Sequence, residues 1–79
     1  MNTNLDRLGI LKILNLKGSM TYSDLQSLAG FKTERESGKF AYHLKKLVEQ
    51  SFVTRDSERV CAITNLGKIF LHTAKKSKP

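Results

Sequence analysis

Past Gln50 the apolar spacing of the chain changes from the three-and-four rhythm of a helix to the alternation of a strand, and by Asn65 it has changed back. In a chain of 79 residues that change of period leaves few folds open. Phe52 and Val53 open a strand, and VTRDSERVCAIT alternates as a hairpin that turns at Asp56, Ser57 and Glu58. Val60 and either Ala62 or Ile63 are expected on its buried side.

The segments around the hairpin read as helices. Thr3 and Asp6 have the spacing of a capping box, and Leu5, Leu8, Ile10, Leu11, Ile13, Leu14 and Leu16 then form an apolar stripe that Gly18 can end. Gly9 within it costs roughly 1 kcal/mol relative to Ala, and its small size suits close packing of another helix. Thr21 and Asp24 repeat the capping spacing before a short helix, YSDLQSLA, in which Leu25 and Leu28 are expected to face inward and which stops at Gly30. Thr33 and Glu36 repeat it once more, and the main body of the next helix is predicted from about Ser37 to Gln50, with Phe40, Leu44, Leu47 and Val48 on its inner stripe. Thr64 caps a last helix carrying Leu66, Ile69, Phe70 and Thr73 on one side and lysines in its final turn.

The order is helix, short extended link, helix, longer helix, two strands, helix: a mainly α chain with a small β-hairpin, of the α+β class. Three helices followed by a two-stranded ribbon is the order of a winged helix-turn-helix. Residues 1–79 form a single domain, with a basic tail from about residue 75 onwards. A domain this small removes only about 60% of its unfolded surface from water, so a partner would add needed stability. Cys61 is the sole cysteine and closes no disulfide within the chain. No apolar run approaches the roughly 18 residues of a membrane span, and the N-terminus has no pattern of a secretory leader, so a cytoplasmic protein away from membranes is expected.

Charge narrows the partner. Fourteen Lys and Arg against seven Asp and Glu give +7, distributed as +1 over residues 1–30, +2 over 31–50 and +4 over 51–79. Such a field favours polyanions, since each neutralised phosphate releases condensed counterions. The bland alternative is a basic surface kept for solubility. At about 100° per residue, the side of the third helix opposite Phe40, Leu44 and Leu47 carries Arg35, Lys39, Tyr42 and Lys46, flanked by Lys45 and His43, with Ser37 and Gly38 at its expected N-terminal end. An exposed tyrosine on a basic helical face can touch a thymine methyl, bond a base edge or phosphate, or stack on an unpaired base. It can also simply cover its own turn. His43, beside a core leucine, reads equally as a partly buried hydrogen-bonding residue.

SGKFAYHLKKLVEQSFV, with MTYSDLQSLAG before it and ITNLGKIFL after it, resembles the winged-helix regulators of the ArsR-like group, above all archaeal members. The resemblance runs from about Leu5 to Leu71, and Tyr42 to Leu47 are its most specific part. It implies a third helix in the DNA major groove, contacting it through Ser37, Lys39, Tyr42, His43 and Lys46. It further implies a hairpin wing whose Arg55 and Arg59 reach the backbone or minor groove, and a dimer formed by the first and last helices. Two features depart from the pattern. Asp56 and Glu58 at the wing tip oppose phosphate, and FKTERES is longer than the usual turn before such a helix.

Other chemistries find little support. Metal-sensing relatives pair cysteines on a helix, whereas Cys61, His43 and His72 are scattered, so no metal or cofactor is expected and Cys61 reads as a small buried apolar residue. No glycine-rich phosphate loop follows a strand and no nucleophile has an evident base, which argues against an enzyme. The expected function is sequence-specific binding of double-stranded DNA by a homodimeric transcriptional regulator without an evident small-molecule effector. Leu5, Leu8, Ile10, Leu11 and Ile13 with Leu66, Ile69 and Phe70 are the expected dimer interface, because one short chain cannot bury both sides of both helices. The rival readings are a winged-helix protein-docking module and a nonspecific RNA or single-strand binder.

Overall fold

The computed structural model describes the backbone of residues 3–76 and the side chains of residues 6–74. It is an α+β fold whose described residues form four helices and a three-stranded antiparallel sheet: α1 (Thr3–Lys17), β1 (Met20–Thr21), α2 (Tyr22–Leu28), α3 (Glu34–Glu49), β2 (Val53–Arg55), β3 (Val60–Ile63) and α4 (Asn65–Lys76). Among them no helix is long and apolar enough to cross a membrane. The Thr3 side chain of the first expected capping box lies outside the described residues, as does residue 77 onwards of the expected tail, while Lys75 and Lys76 continue α4.

Local chemistry sets the helix ends. Gly18, at φ +85°, closes α1 by donating to Leu14 O at 2.8 Å. Thr21 Oγ1 caps α2 by accepting from the Asp24 amide. Gly30, at φ +90°, lets its own amide reach Ser27 O and that of Phe31 reach Gln26 O, a Schellman closure. Thr33 and Glu36 form a complete capping box, which moves the start of α3 back to Glu34. Arg35, Ser37 and Gly38 therefore lie inside the helix, and Ser37 N donates to Thr33 O, so its amide is not free for an anion. At the other end Ser51 takes the left-handed position usual for glycine, with φ +66°, and Phe52 N returns to Leu47 O.

The core gathers Ile10, Leu11 and Leu14 of α1, Leu25 of α2, Phe40, Leu44 and Leu47 of α3, Val53, Cys61 and Leu71. Cys61 is buried, and burial pushes its thiol above the ordinary cysteine value. Leu28 and Val48 face solvent instead of the core. Apart from its chain neighbours and the backbone of its own helix, nothing lies within 4 Å of where a Cβ of Gly9 would stand, so this glycine serves no close helix contact among the described residues.

The hairpin keeps Ile63 of its sequence reading on the core side but not Val60, because the turn falls one residue later than expected. Val53 pairs with Ile63 and Arg55 with Cys61, so the core face holds Val53, Cys61 and Ile63, while Val60 and Ala62 fall on the opposite side with Thr54. The turn explains the shift. Asp56 O accepts from Arg59 N, Asp56 Oδ1 accepts from the amides of Glu58 and Val60, and Arg59 adopts φ +64°, absorbing a residue as a bulge does. β3 is the central strand, with β1 on its other edge, where Met20 pairs with Cys61 and Thr21 with Val60.

α4 turns Gly67 and Leu71 inward. A Cβ at Gly67 would collide with the Phe52 carbonyl oxygen and the Ile63 side chain, so the helix rests on the sheet through bare backbone. Thr64 secures the approach: its hydroxyl donates to Ser51 O and accepts from Gly67 N.

Candidate nucleic-acid interface

α3 divides its side chains cleanly because Phe40, Leu44 and Leu47 keep the three-and-four spacing of a helix. The opposite side carries Arg35, Lys39, Tyr42 and Lys45 in solvent, with Ser37 and Lys46 half-buried at its margins. Lys46 is held within 3.5 Å of Glu49. Tyr42 is 53% exposed, too open for a core residue of its size.

The two flanks of this helix differ. On one, Ala41 shares a shallow depression of about 270 Å³ with Tyr22, Arg55 and Arg59, so the hairpin arginines and α3 border one surface. The Arg55 guanidinium carbon stands 5.4 Å from the centre of the Tyr22 ring, whose edge packs on Phe40 at 5.0 Å. Arg59 is locked at the backbone, since its carbonyl accepts from Tyr22 N at 2.8 Å. Asp56 spends one carboxylate oxygen on two turn amides, so it serves the hairpin's shape.

On the other flank, α1 supplies Asp6 and Arg7. Arg7 Nε donates to His43 Nδ1 at 3.3 Å, and His43 Nε2 lies 3.5 Å from Asp6 Oδ2. The Arg7 guanidinium carbon and Lys46 Nζ stand 5.8 Å and 5.6 Å from the centre of the Tyr42 ring. His43 is only 6% exposed. This corrects its expected role as a groove contact: its ring edge is spent on α1, and it meets the rings of Phe31 and Tyr42. Burial first of all, with Arg7 and Lys39 acting the same way and Asp6 opposing, holds its pKa below the ordinary histidine value.

The expected dimer residues also separate. Ile10 and Leu11 are fully buried in the protomer's own core and present no surface to a second copy, which corrects that part of the interface. Leu8 and Ile13 are half-buried against the core, and the side chain of Leu5 lies outside the described residues. Leu66, Ile69 and Phe70 are exposed on α4, and Leu16 is exposed near the end of α1. Phe70 stacks on Phe52 with ring centres 4.5 Å apart.

The stretch that builds both flanks of α3 also carries a family match. Residues 2–72 match a family described as a domain of unknown function (DUF7347). The chain belongs to this family. No curated protein and no solved structure matches it. In this member of DUF7347, sequence reasoning passed over Arg7 and Tyr22. The signal for Arg7 was present: positions 7, 10, 11 and 14 form the core stripe of α1, and a charged residue on such a stripe needs a buried partner. Tyr22 had no such sign, because β1 and the hairpin turn place it. Among the described residues no group of three or more His, Cys, Asp or Glu is placed to hold a metal ion.

Proposed function

We propose that this protein is a sequence-specific, double-stranded DNA-binding transcriptional regulator of the winged helix-turn-helix type. The element order supports the winged-helix assignment, with α2 and α3 as the helix-turn-helix unit and β2 with β3 as the wing. One observation carries the reading: the solvent side of α3 is basic around an exposed tyrosine, and that helix borders a common depression with both hairpin arginines. A cationic helix beside a cationic ribbon suits a duplex, whose groove admits the helix while its phosphates take the ribbon.

In this reading Tyr42 and Lys39 meet base edges, Arg35, Lys45 and Lys46 neutralise nearby phosphates, and Arg55 and Arg59 hold the backbone beside the groove. The protein acts as a homodimer through Leu66, Ile69 and Phe70 of α4, with Leu16 of α1 at the margin, so that two α3 helices read a two-fold site. The exposed apolar face of α4 supports this pairing, since surface of that kind gains from being covered.

The test is duplex binding against salt, comparing a randomised pool with the sequences selected from it. A palindromic site with half-sites about one helical turn apart, bound far above the pool, is the expected result. Weak binding that is equal on all sequences and lost by about 200 mM salt would leave α3 a merely electrostatic surface and favour a protein-docking role. Sedimentation at tens of micromolar, on the order of ordinary weak-dimer affinities, tests the dimer; a monomer there overturns it.

A further inference from the structure

The α1 flank contains a cation whose role the wing and the α3 face leave unexplained. Arg7 is half-buried at the end of the core stripe of α1, three and four residues before the fully buried Ile10 and Leu11. A guanidinium there must be compensated, and His43 compensates one donor by accepting from Nε at 3.3 Å. A guanidinium has five N–H donors, so four remain on its terminal nitrogens, and the described residues give them no acceptor. The same group stands 5.8 Å from the centre of the exposed Tyr42 ring, which Lys46 approaches at 5.6 Å. Two cations from two helices therefore converge on the one aromatic side chain that α3 shows to solvent.

We propose that Arg7 is a backbone-phosphate contact at the α1 edge of the α3 surface, and that His43 is the residue that positions it. The proposal rests on the DNA-binding reading and adds a residue from outside the helix-turn-helix and the wing. The fork of a guanidinium fits phosphate oxygens, and fixing Nε and the plane of the group in advance reduces the entropy lost when a phosphate arrives. The positioning depends on charge state. Nδ1 accepts from Arg7 only while His43 is neutral with its proton on Nε2, the nitrogen that faces Asp6. Burial favours that neutral form. Protonation puts an N–H against an N–H and a positive ring against a guanidinium, so Arg7 is released. The charged groups facing His43 are Asp6 and Arg7 of α1 and Lys39 of α3, and the rings of Phe31 and Tyr42 complete its surroundings.

The experiment measures affinity for a selected duplex and for random duplex against salt, at about pH 7.5 and in steps down to about pH 4.5, because the folded His43 titrates below the ordinary histidine value of about 6.5. Wild type is compared with Arg7→Gln and Arg7→Lys, their folding checked by circular dichroism. Arg7→Gln is expected to lower the log–log salt slope by about 1 on both duplexes, the signature of one lost phosphate contact, with Arg7→Lys restoring part of it. Wild type should lose the same unit of slope on acidification while Arg7→Gln does not. An unchanged slope in Arg7→Gln beside a steep wild type overturns the Arg7 contact and leaves the DNA reading standing. A lost unit in Arg7→Gln with a pH-independent wild type overturns the positioning role of His43. A wild type whose weak binding shows no salt dependence overturns both the proposal and the DNA reading beneath it.

Discussion

α3 and α4 are both amphipathic, yet they spend their outer faces differently. α3 buries Phe40, Leu44 and Leu47 and shows solvent Arg35, Lys39, Tyr42 and Lys45. Among its described residues α4 buries little beyond Gly67 and Leu71 and leaves Leu66, Ile69 and Phe70 outside. The contrast follows from contact geometry. α3 lies against the core through large side chains, whereas α4 approaches the sheet through a glycine too close to Phe52 O for any Cβ, and apart from Leu71 its larger apolar residues Leu66, Ile69 and Phe70 stay exposed. One helix thus offers a surface suited to an anion and the other a surface suited to an apolar partner.

Substitutions on the two helices can break that contrast. The largest effect is expected inside α3, where Phe40→Ala should cost about 3 to 5 kcal/mol in denaturant unfolding, because the ring sits at 0% exposure between Tyr22 and Phe31. A loss below about 1 kcal/mol, the scale of a surface change, would mean that α3 does not anchor the core. On the outer face of α3, Tyr42→Ala should cost about 1 to 3 kcal/mol at a selected site and relax its sequence preference, while Arg55→Ala weakens all duplexes alike and lowers the salt slope by about 1. Equal loss on every sequence for Tyr42→Ala removes its reading role. Thr33→Ala, which deletes one arm of the α3 capping box, should cost about 1 kcal/mol. On α4, Ile69→Lys should alter stability by no more than about 0.5 kcal/mol while shifting sedimentation toward monomer. Unchanged self-association would place the apolar face outside the dimer.

Acid sharpens the comparison because its two responsive groups on α3 titrate in different windows. His43 has a folded pKa lowered chiefly by burial, so its contribution to stability is complete above about pH 6.5, the ordinary value, and is lost as pH falls below that through the folded value. Glu36 is lowered by accepting the Thr33 and Lys32 amides, so its contribution is complete above the ordinary carboxylate value of 4.5 and disappears only in stronger acid. Thermal melts against pH should show the first loss in wild type and lack it in His43→Gln. A single acid transition confined to the carboxylate range would remove His43 from the account.

Much of the fold is legible in short-range chemistry. Thr21, Thr33 and Thr64 announce α2, α3 and α4 because a cap involves atoms only three residues apart. The outer face of α3 is legible for a related reason: helical geometry fixes which side chains oppose Phe40 and Leu44. Placement between elements is less legible. His43 flanks the exposed face of α3 in the sequence as a possible groove contact, and only the arrival of Asp6 and Arg7 from α1 makes it a buried partner. Ile10 and Leu11 cannot be told from a surface stripe until α1 is seen packed on the core.

By itself, then, the sequence determined the identity and order of the helices, the presence of the hairpin and the basic outer side of α3, since periodicity, caps and net charge act along the chain. Tertiary structure alone decided the register of β2 on β3, the inward turn of Gly67 and the meeting of Arg7, His43 and Tyr42. Those depend on a bulge at Arg59 and on contacts between residues far apart in the chain, where distance in sequence carries no information about distance in space.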